Sequence, residues 1–287
     1  MIRFGPAGWD YPDWAGKVYP KPRPKGFDPL RYIAGYFRTV EINSTFYRPP
    51  SPAAARAWNE RVKDHPDFRF TAKLWRRFTH ERTLAWTREE VDAVRAGLDP
   101  LADAGRLGAL LLQFPWSFRN QEQNREWLRD LARAFRAYPL VVEVRHLSWN
   151  EPDFYAGLAE ESIGIVNLDQ PMFRNSLPPA ARATSSVGYI RVHGRNYKDW
   201  FRKTAGRDER YDYLYSAAEL KPWAERTLAL AQEPGVTDVY AVNNNHFAGQ
   251  AVANALMLEA QVTGRKVKAP GTLLHAYPGE LAALTRK

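Results

Sequence analysis

The feature that most constrains this chain is a four-residue pattern that occurs five times, with apolar and polar residues alternating and a polar residue last. The five segments are Val40-Glu41-Ile42-Asn43, Phe70-Thr71-Ala72-Lys73, Val142-Glu143-Val144-Arg145, Val166-Asn167-Leu168-Asp169 and Ile190-Arg191-Val192-His193. Alternate residues of a strand point to the same face, so each segment predicts a strand with one polar face. The polar side chains are therefore expected to gather at the C-terminal ends of the strands and to face one volume.

Strand candidates recur along the chain at a spacing typical of a repeated β/α unit. They are residues 2–8, 39–43, 68–73, 107–114, 140–145, 163–169, 188–193 and 238–243. Amphipathic helical patterns lie between them, and this alternation favours a parallel sheet. A doubly wound open sheet is the alternative, but no glycine-rich dinucleotide fingerprint follows the first strand. We therefore predict an α/β protein with a TIM-type (β/α)8 barrel in a single domain, residues 1–287, and a site at its C-terminal face.

The composition limits the classes of function. The chain of 287 residues contains no cysteine, which excludes disulfides, thiolate nucleophiles and cysteine-ligated metals. No signal peptide or membrane-spanning pattern is present, so we expect a cytoplasmic protein with no membrane partner. The formal charge of +9 points to an anionic partner, either a small phosphorylated ligand or nucleic acid. Compositional bias is the alternative explanation of this positive charge, because the basic residues are spread along the chain without a dense block. The oligomeric state stays open.

Several short motifs resemble those of an uncharacterised protein family. They are Gly8-Trp9, Glu41-Ile42-Asn43-Ser44-Thr45-Phe46-Tyr47-Arg48-Pro49, Thr79-His80, Gln113-Phe114-Pro115, Glu143-Val144-Arg145-His146, Arg191-Val192-His193-Gly194-Arg195, Tyr213-Leu214-Tyr215-Ser216 and Asn244-Asn245-His246. In this order they resemble the domain of unknown function seventy-two family, the YecE-like proteins, over almost the whole chain. The resemblance implies a TIM-type barrel and no established reaction, so the chemistry is argued from the residues.

Three strand-end residues are candidates for acid/base catalysis. Glu143 is predicted to act as the base, with His193 or Asp169 as its acid partner, because carboxylates and imidazoles transfer protons near neutral pH. The alternative is structural. Glu143 and Arg145 are two apart on one strand and could form an internal ion pair that closes the barrel mouth, as in a non-catalytic scaffold.

A second set of residues is predicted to bind the substrate. Lys73, Arg145 and Arg191 supply positive charge for a phosphate or carboxylate, and Trp9 offers a stacking surface. The other predicted contacts are Glu41, Asn43, Asn244 and His246. A divalent metal held by Glu41, Glu143, Asp169 and His193 is conceivable from their chemistry. The three cations on the same face would repel it, so we expect no metal or other cofactor.

A long loop, residues 194–216, follows the seventh predicted strand and contains six basic, six aromatic and four acidic residues. A lid over the C-terminal face is the favoured interpretation. Cations interleaved with aromatic rings are also typical of a nucleic-acid surface. The sequence therefore predicts an enzyme that uses acid/base chemistry on an anionic, phosphate-bearing substrate. Hydrolytic or phosphoester chemistry fits these residues but is not required by them. The alternative is a non-catalytic nucleic-acid-binding protein.

Overall fold

The structure, a computed structural model, describes residues 1–202, 204 and 206–286. All eight predicted strands are present and differ from the prediction only at their ends. They are β1 (Ile2–Pro6), β2 (Thr39–Ile42), β3 (Arg69–Lys73), β4 (Leu107–Gln113), β5 (Leu140–Glu143), β6 (Gly164–Asp169), β7 (Val187–Val192) and β8 (Asp238–Asn243). A parallel pair of two-residue strands near the C-terminus, β9 (Val267–Lys268) and β10 (Thr285–Arg286), lies outside this set.

The eight strands form one parallel sheet in the order β1-β8-β7-β6-β5-β4-β3-β2. Its two outer strands meet, because Ala7 forms a parallel bridge with Glu41 and the Gly8 N–H donates to the Glu41 carbonyl at 2.8 Å. Gly5 permits this approach, since a Cβ there would lie 2.0 Å from the Thr39 carbonyl oxygen. The sheet therefore curves into a nearly closed barrel, and the predicted TIM-type fold is confirmed.

Helices occupy the connections of the chain, and the longer ones pack on the outside of the barrel. They are α1 (Pro29–Ala34), α2 (Pro52–Arg61), α3 (Arg76–Thr79), α4 (Arg88–Asp103), α5 (Glu122–Ala134), α6 (Pro152–Glu160), α7 (Arg207–Arg210), α8 (Ala217–Gln232), α9 (Gln250–Thr263), α10 (Gly271–Ala276) and α11 (Pro278–Leu281). Local sequence sets several starts: Thr87 and Glu90 form a capping box on α4, as do Ser216 and Glu219 on α8. No helix in the described ranges is both long and apolar enough to cross a bilayer.

The inner face of the barrel is identified by Tyr189 on β7. Its hydroxyl is hydrogen-bonded to Glu41 Oε2 on β2 (2.9 Å) and to Thr71 Oγ1 on β3 (2.8 Å), across the interior. Residues that are in register on neighbouring parallel strands share a face. The inner face therefore carries Lys73 at the end of β3 and Arg191 on β7.

The polar pair of β6 faces the other way, so the expectation that all five pairs face one volume is wrong for this strand. Asn167 is in register with Ile190, and Asp169 with Val192, both on the outer face of β7. The Asn167 side chain there donates to the Arg182 carbonyl at 3.0 Å and accepts from its N–H at 2.8 Å. Leu168 takes the inward position beside Arg191. The four-residue pattern defines two faces but not which of them is inside.

Candidate functional site

A pocket of about 780 Å³ opens at the C-terminal ends of the strands. Its basic lining residues are Lys73, Arg76, Arg145 and Arg210, whereas Asp10 is its one acidic residue in the described part of the chain. Its aromatic lining residues are Trp9, Tyr11, Phe46, Tyr47, Trp116, Trp200, Phe201 and Tyr211. The wall is therefore positively charged and rich in flat apolar surface, a combination that suits an anionic ligand with an organic body.

Below the pocket lies a buried network of two carboxylates and two guanidinium groups. Arg191 donates two hydrogen bonds to Glu41, from Nε at 2.9 Å and Nη2 at 2.6 Å, and one from Nη1 to Glu143 Oε2 at 2.6 Å. Arg145 donates from Nε and Nη2 to Glu143 Oε1, at 2.9 and 2.7 Å. The two acids and two bases cancel in charge. Each carboxylate is therefore occupied by at least one guanidinium group.

The protonation states of this network follow from its contacts. Burial alone would raise the pKa of Glu143, but the charges of Arg191 and Arg145 and the hydrogen bond from His193 hold that pKa well below its ordinary value. Burial lowers the pKa of His193 to about 3, so its imidazole is neutral. His193 Nε2 lies 3.2 Å from Glu143 Oε1, and Asn244 Nδ2 lies 3.1 Å from His193 Nδ1. We therefore assign the imidazole proton to Nε2, which donates to the carboxylate.

Lys73 lies on the inner face beside this network but takes no part in its ion pairs. Lys73 is half-buried on the pocket wall, and its Nζ lies 3.7 Å from the centroid of the Phe46 ring. Within the described ranges no carboxylate lies within ion-pair distance of this ammonium group. Burial and the charge of Arg191 lower the pKa of Lys73 to about 7. The amine is thus close to half protonated at neutral pH.

The described residues of the loop 194–216 reach over the pocket, and positions 203 and 205 of the loop lie outside the described residues. Trp200, Phe201, Arg210 and Tyr211 line the wall, and the Trp200 ring lies 5.6 Å from the Arg145 guanidinium carbon. The two ends of the loop are held together, because the Gly194 N–H donates to the buried Tyr215 hydroxyl at 2.9 Å. The lid interpretation of this loop stays a prediction, and the loop is called the lid below.

Two of the six basic residues in this loop, Arg195 and Arg202, are paired with acids. Arg202 pairs with Asp199 and with Glu209, each at 2.8 Å, and Arg195 pairs with Asp169 at 2.9 Å. The loop therefore presents fewer free cations than its sequence indicates.

The predicted site residues fall into three groups. Six lie on the pocket wall: Trp9, Asn43, Lys73, Arg145, Asn244 and His246. Four lie directly beneath it in the buried network: Glu41, Glu143, Arg191 and His193. Asp169 is separate, on the outer face of β6. Most of the predicted residues thus come together, while the catalytic roles of Glu143, His193 and Asp169 stay predictions.

His246 is held among aromatic rings rather than projecting freely. Its ring stacks on Tyr11 at 4.5 Å between centroids and lies 5.3 Å from the Tyr211 ring of the lid. It therefore links the barrel mouth to the lid.

Other residues of the site were missed by the sequence reasoning. Tyr189 lies two residues before Arg191 on β7, and Thr71 is already a polar residue of the β3 segment, so the period of two could have identified both as site residues. Arg76, Gln113 and Trp116 also line the pocket. Arg76 and Trp116 lie beyond the strands, where no periodicity indicates direction.

The four candidate metal ligands do not form a metal site in this geometry. Asp169 faces outward, and the oxygens of Glu41 and Glu143 accept from guanidinium groups. Across the described ranges no three histidine or carboxylate side chains are grouped as ligands of one ion.

The family profile described as "Protein of unknown function DUF72" matches residues 3–276. The chain belongs to the DUF72 family. Among curated proteins it is 29% identical over 272 residues to the UPF0759 protein YunF of Bacillus subtilis (strain 168), covering 88% of this chain and 92% of that protein.

Solved structures of DUF72 proteins agree with the barrel described above. One from Thermotoga maritima MSB8 has a TM-score of 0.77 and 33% identity, covering 92% of this chain and 99% of that chain. One from Enterococcus faecalis V583 has a TM-score of 0.79 and 26% identity, covering 92% of this chain and 96% of that chain. These DUF72 relatives establish the family and the fold of the chain.

Proposed function

We propose that this DUF72 protein is an enzyme that acts on an anionic, phosphate-bearing substrate by acid/base chemistry at the C-terminal mouth of the barrel. The observation that carries the proposal is the composition of the pocket wall, whose described residues include four basic side chains, Lys73, Arg76, Arg145 and Arg210, and one acid, Asp10. Arg76 also pairs with Glu81 and Arg145 with Glu143, each at 2.7 Å, so a phosphate would share these two guanidinium groups with carboxylates. Guanidinium groups match the geometry of phosphate oxygens and stay charged at every accessible pH. The aromatic lining would contact the remainder of the substrate.

The proton-transfer group best supported by this geometry is Lys73. A general acid or base works best when its pKa lies near the working pH, and the pKa of Lys73 is lowered to about 7. Glu143 and His193 are less suited to direct proton transfer, because they lie fully buried and bonded to each other beneath the pocket. In this proposal they hold Arg145 and Asn244 in place, which makes them positioning residues.

Nucleic-acid binding is the second candidate, and the lid supports it less. Its aromatic residues Trp200 and Tyr211 line the pocket, and its Arg202 is paired with two acids. A polyanion surface requires cations that are free to contact successive phosphates.

Calorimetric titration with pyrophosphate tests the anion site. Arg145→Met should weaken binding ~10-fold or more, the effect of losing a hydrogen bond to a charged group. The matched control is Arg133→Met, because Arg133 lies on α5 and pairs with Asp130 at 3.4 Å in an exposed position. Equal affinities of the two variants would contradict the proposal. A single-stranded oligonucleotide that binds more tightly than pyrophosphate, with no effect of Arg145→Met, would favour the second candidate.

Trace acetylation of the native protein by acetic anhydride tests the acid/base role. The reagent modifies only neutral amines, so the acetylation rate of Lys73 should rise with pH to a midpoint of about 7. Lys63 is the control, since it is exposed and its partner Glu60 raises its pKa. Pyrophosphate should protect Lys73 and not Lys63. A Lys73 midpoint close to that of Lys63, or no protection, would contradict the proposal.

A further inference from the structure

The position of Lys73 is unusual for a lysine at the mouth of a charged barrel. It ends β3 on the inner face and stands against the Phe46 ring, and its backbone carbonyl accepts from Thr45 Oγ1 at 2.6 Å. Thr45 Oγ1 also lies 2.8 Å from the Ile42 carbonyl oxygen, so its single proton is shared between the two carbonyls and links the ends of β2 and β3. The side chain is therefore carried by a fixed piece of backbone and directed at the pocket.

The surroundings of this amine favour its neutral form. Burial has the largest effect on the pKa of Lys73 and lowers it; Arg191 and Arg145 also lower it, whereas Glu41 and Glu143 raise it. Because these two acids are bonded to the two guanidinium groups, neither forms an ion pair with the amine. The Phe46 ring covers one side of the amine and keeps water from it, while its face also attracts the ammonium form. A lysine that is desolvated and placed beside other cations has a lone pair available at neutral pH, which makes it a nucleophile toward carbonyl carbon.

We propose that the Lys73 ε-amine forms a Schiff base with an aldehyde or ketone that also carries a phosphate group. The inference rests on the proposed function, because Arg76 and Arg145 on the same wall would hold the phosphate while the carbonyl reaches Lys73. It deepens that function by naming the substrate class. Metal ligands are not needed for this step.

The covalent step balances without any oxidant or reductant. The nitrogen lone pair of neutral Lys73 adds to the carbonyl carbon, the carbon–oxygen π pair moves to oxygen, and a proton passes from nitrogen to that oxygen. The nitrogen lone pair then expels the hydroxyl group, which takes up one proton and leaves as water. The product is a protonated C=N bond between Lys73 and the substrate carbon, which withdraws electrons from the neighbouring carbon.

Borohydride trapping in the wild-type protein tests the inference. The protein is incubated at about pH 7 with glycolaldehyde phosphate, or with glycolaldehyde, and sodium borohydride then reduces any C=N bond to a stable secondary amine. At that pH about half of Lys73 is neutral, against fewer than ~1 in 1000 for a lysine of ordinary pKa. Peptide mass spectrometry should find Lys73 modified at least ~10-fold more than Lys63. This figure allows for the weaker basicity of Lys73, which makes its neutral amine a weaker nucleophile.

The same experiment separates this inference from the proposed function. Trapping of Lys73 no greater than that of Lys63 overturns the Schiff base, whatever calorimetry shows for pyrophosphate. Equal trapping by the two aldehydes overturns the phosphate requirement while leaving the nucleophile in place. Arg145→Met should reduce trapping by glycolaldehyde phosphate and not by glycolaldehyde. Because the decisive comparison is between two lysines of the wild-type chain, it does not depend on whether a Lys73 variant folds.

Discussion

Replacing Arg191 by methionine removes the centre of the buried ion network. The Arg191 side chain is only 2% exposed, and it donates two hydrogen bonds to Glu41 and one to Glu143. After the change Glu143 keeps Arg145 and His193. The carboxylate of Glu41 keeps only the Tyr189 hydroxyl among its partners in the described residues. One negative charge is therefore left in the interior without a cation.

The expected cost is that of breaking a buried pair by removing one partner, about 3–5 kcal/mol of unfolding free energy. Methionine replaces most of the apolar stem, so the loss comes from the unpaired charge more than from packing. At ~2 °C per kcal/mol for a chain of this size, the melting temperature should fall by roughly 6–10 °C. Urea unfolding followed by circular dichroism measures the free energy directly.

Two further variants distinguish an unpaired charge from a general defect. Arg191→Met with Glu41→Gln removes the stranded charge, so the double variant should be more stable than Arg191→Met alone by at least ~1 kcal/mol. Arg133→Met breaks an exposed pair, in which the two side chains are 68% and 60% exposed, and should cost under ~1 kcal/mol. The reasoning is refuted if Arg191→Met costs no more than Arg133→Met, or if Glu41→Gln destabilises the double variant further.

Two more outcomes are expected. The pKa of Glu143 in the folded state lies below its ordinary value. The ionised carboxylate of Glu143 therefore adds to the free energy of unfolding above pH ~4.3. This contribution is lost as the pH falls below that value, at up to ~1.4 kcal/mol per pH unit. Glu143→Gln should therefore flatten the acid limb of stability measured by urea unfolding, and an unchanged limb would contradict this. Trp200→Ala should weaken pyrophosphate binding in calorimetry while changing the melting temperature little, since Trp200 covers Arg145 from the lid; unchanged affinity would argue against the lid.

The barrel could be predicted from the chain because its signals are local. Apolar residues recur with a period of two in strands and with a period near four in helices. The alternation of such segments leaves few possible arrangements for a parallel sheet. The same period placed Glu41, Lys73, Glu143 and Arg191 at the ends of strands, where the barrel joins them into one site. It also indicates Tyr189, two residues before Arg191, which the prediction did not include.

Orientation and pairing required the tertiary structure. The β6 pattern is indistinguishable in sequence from the others, yet its register with β7 turns Asp169 outward, because inside and outside are defined only once neighbouring strands are aligned. The sequence also does not indicate the ion-pair partners of Arg191, since Glu41 is 150 residues away along the chain.

What the sequence by itself determined is therefore a parallel barrel with charged residues at one end. What only the folded chain decided is which charges cancel. Arg191 and Arg145 reach the two inward acids, and Lys73 is left against Phe46 with none. The physical reason is that ion pairing depends on distances of a few ångströms between strands remote in sequence, whereas strand periodicity depends only on neighbours along the chain.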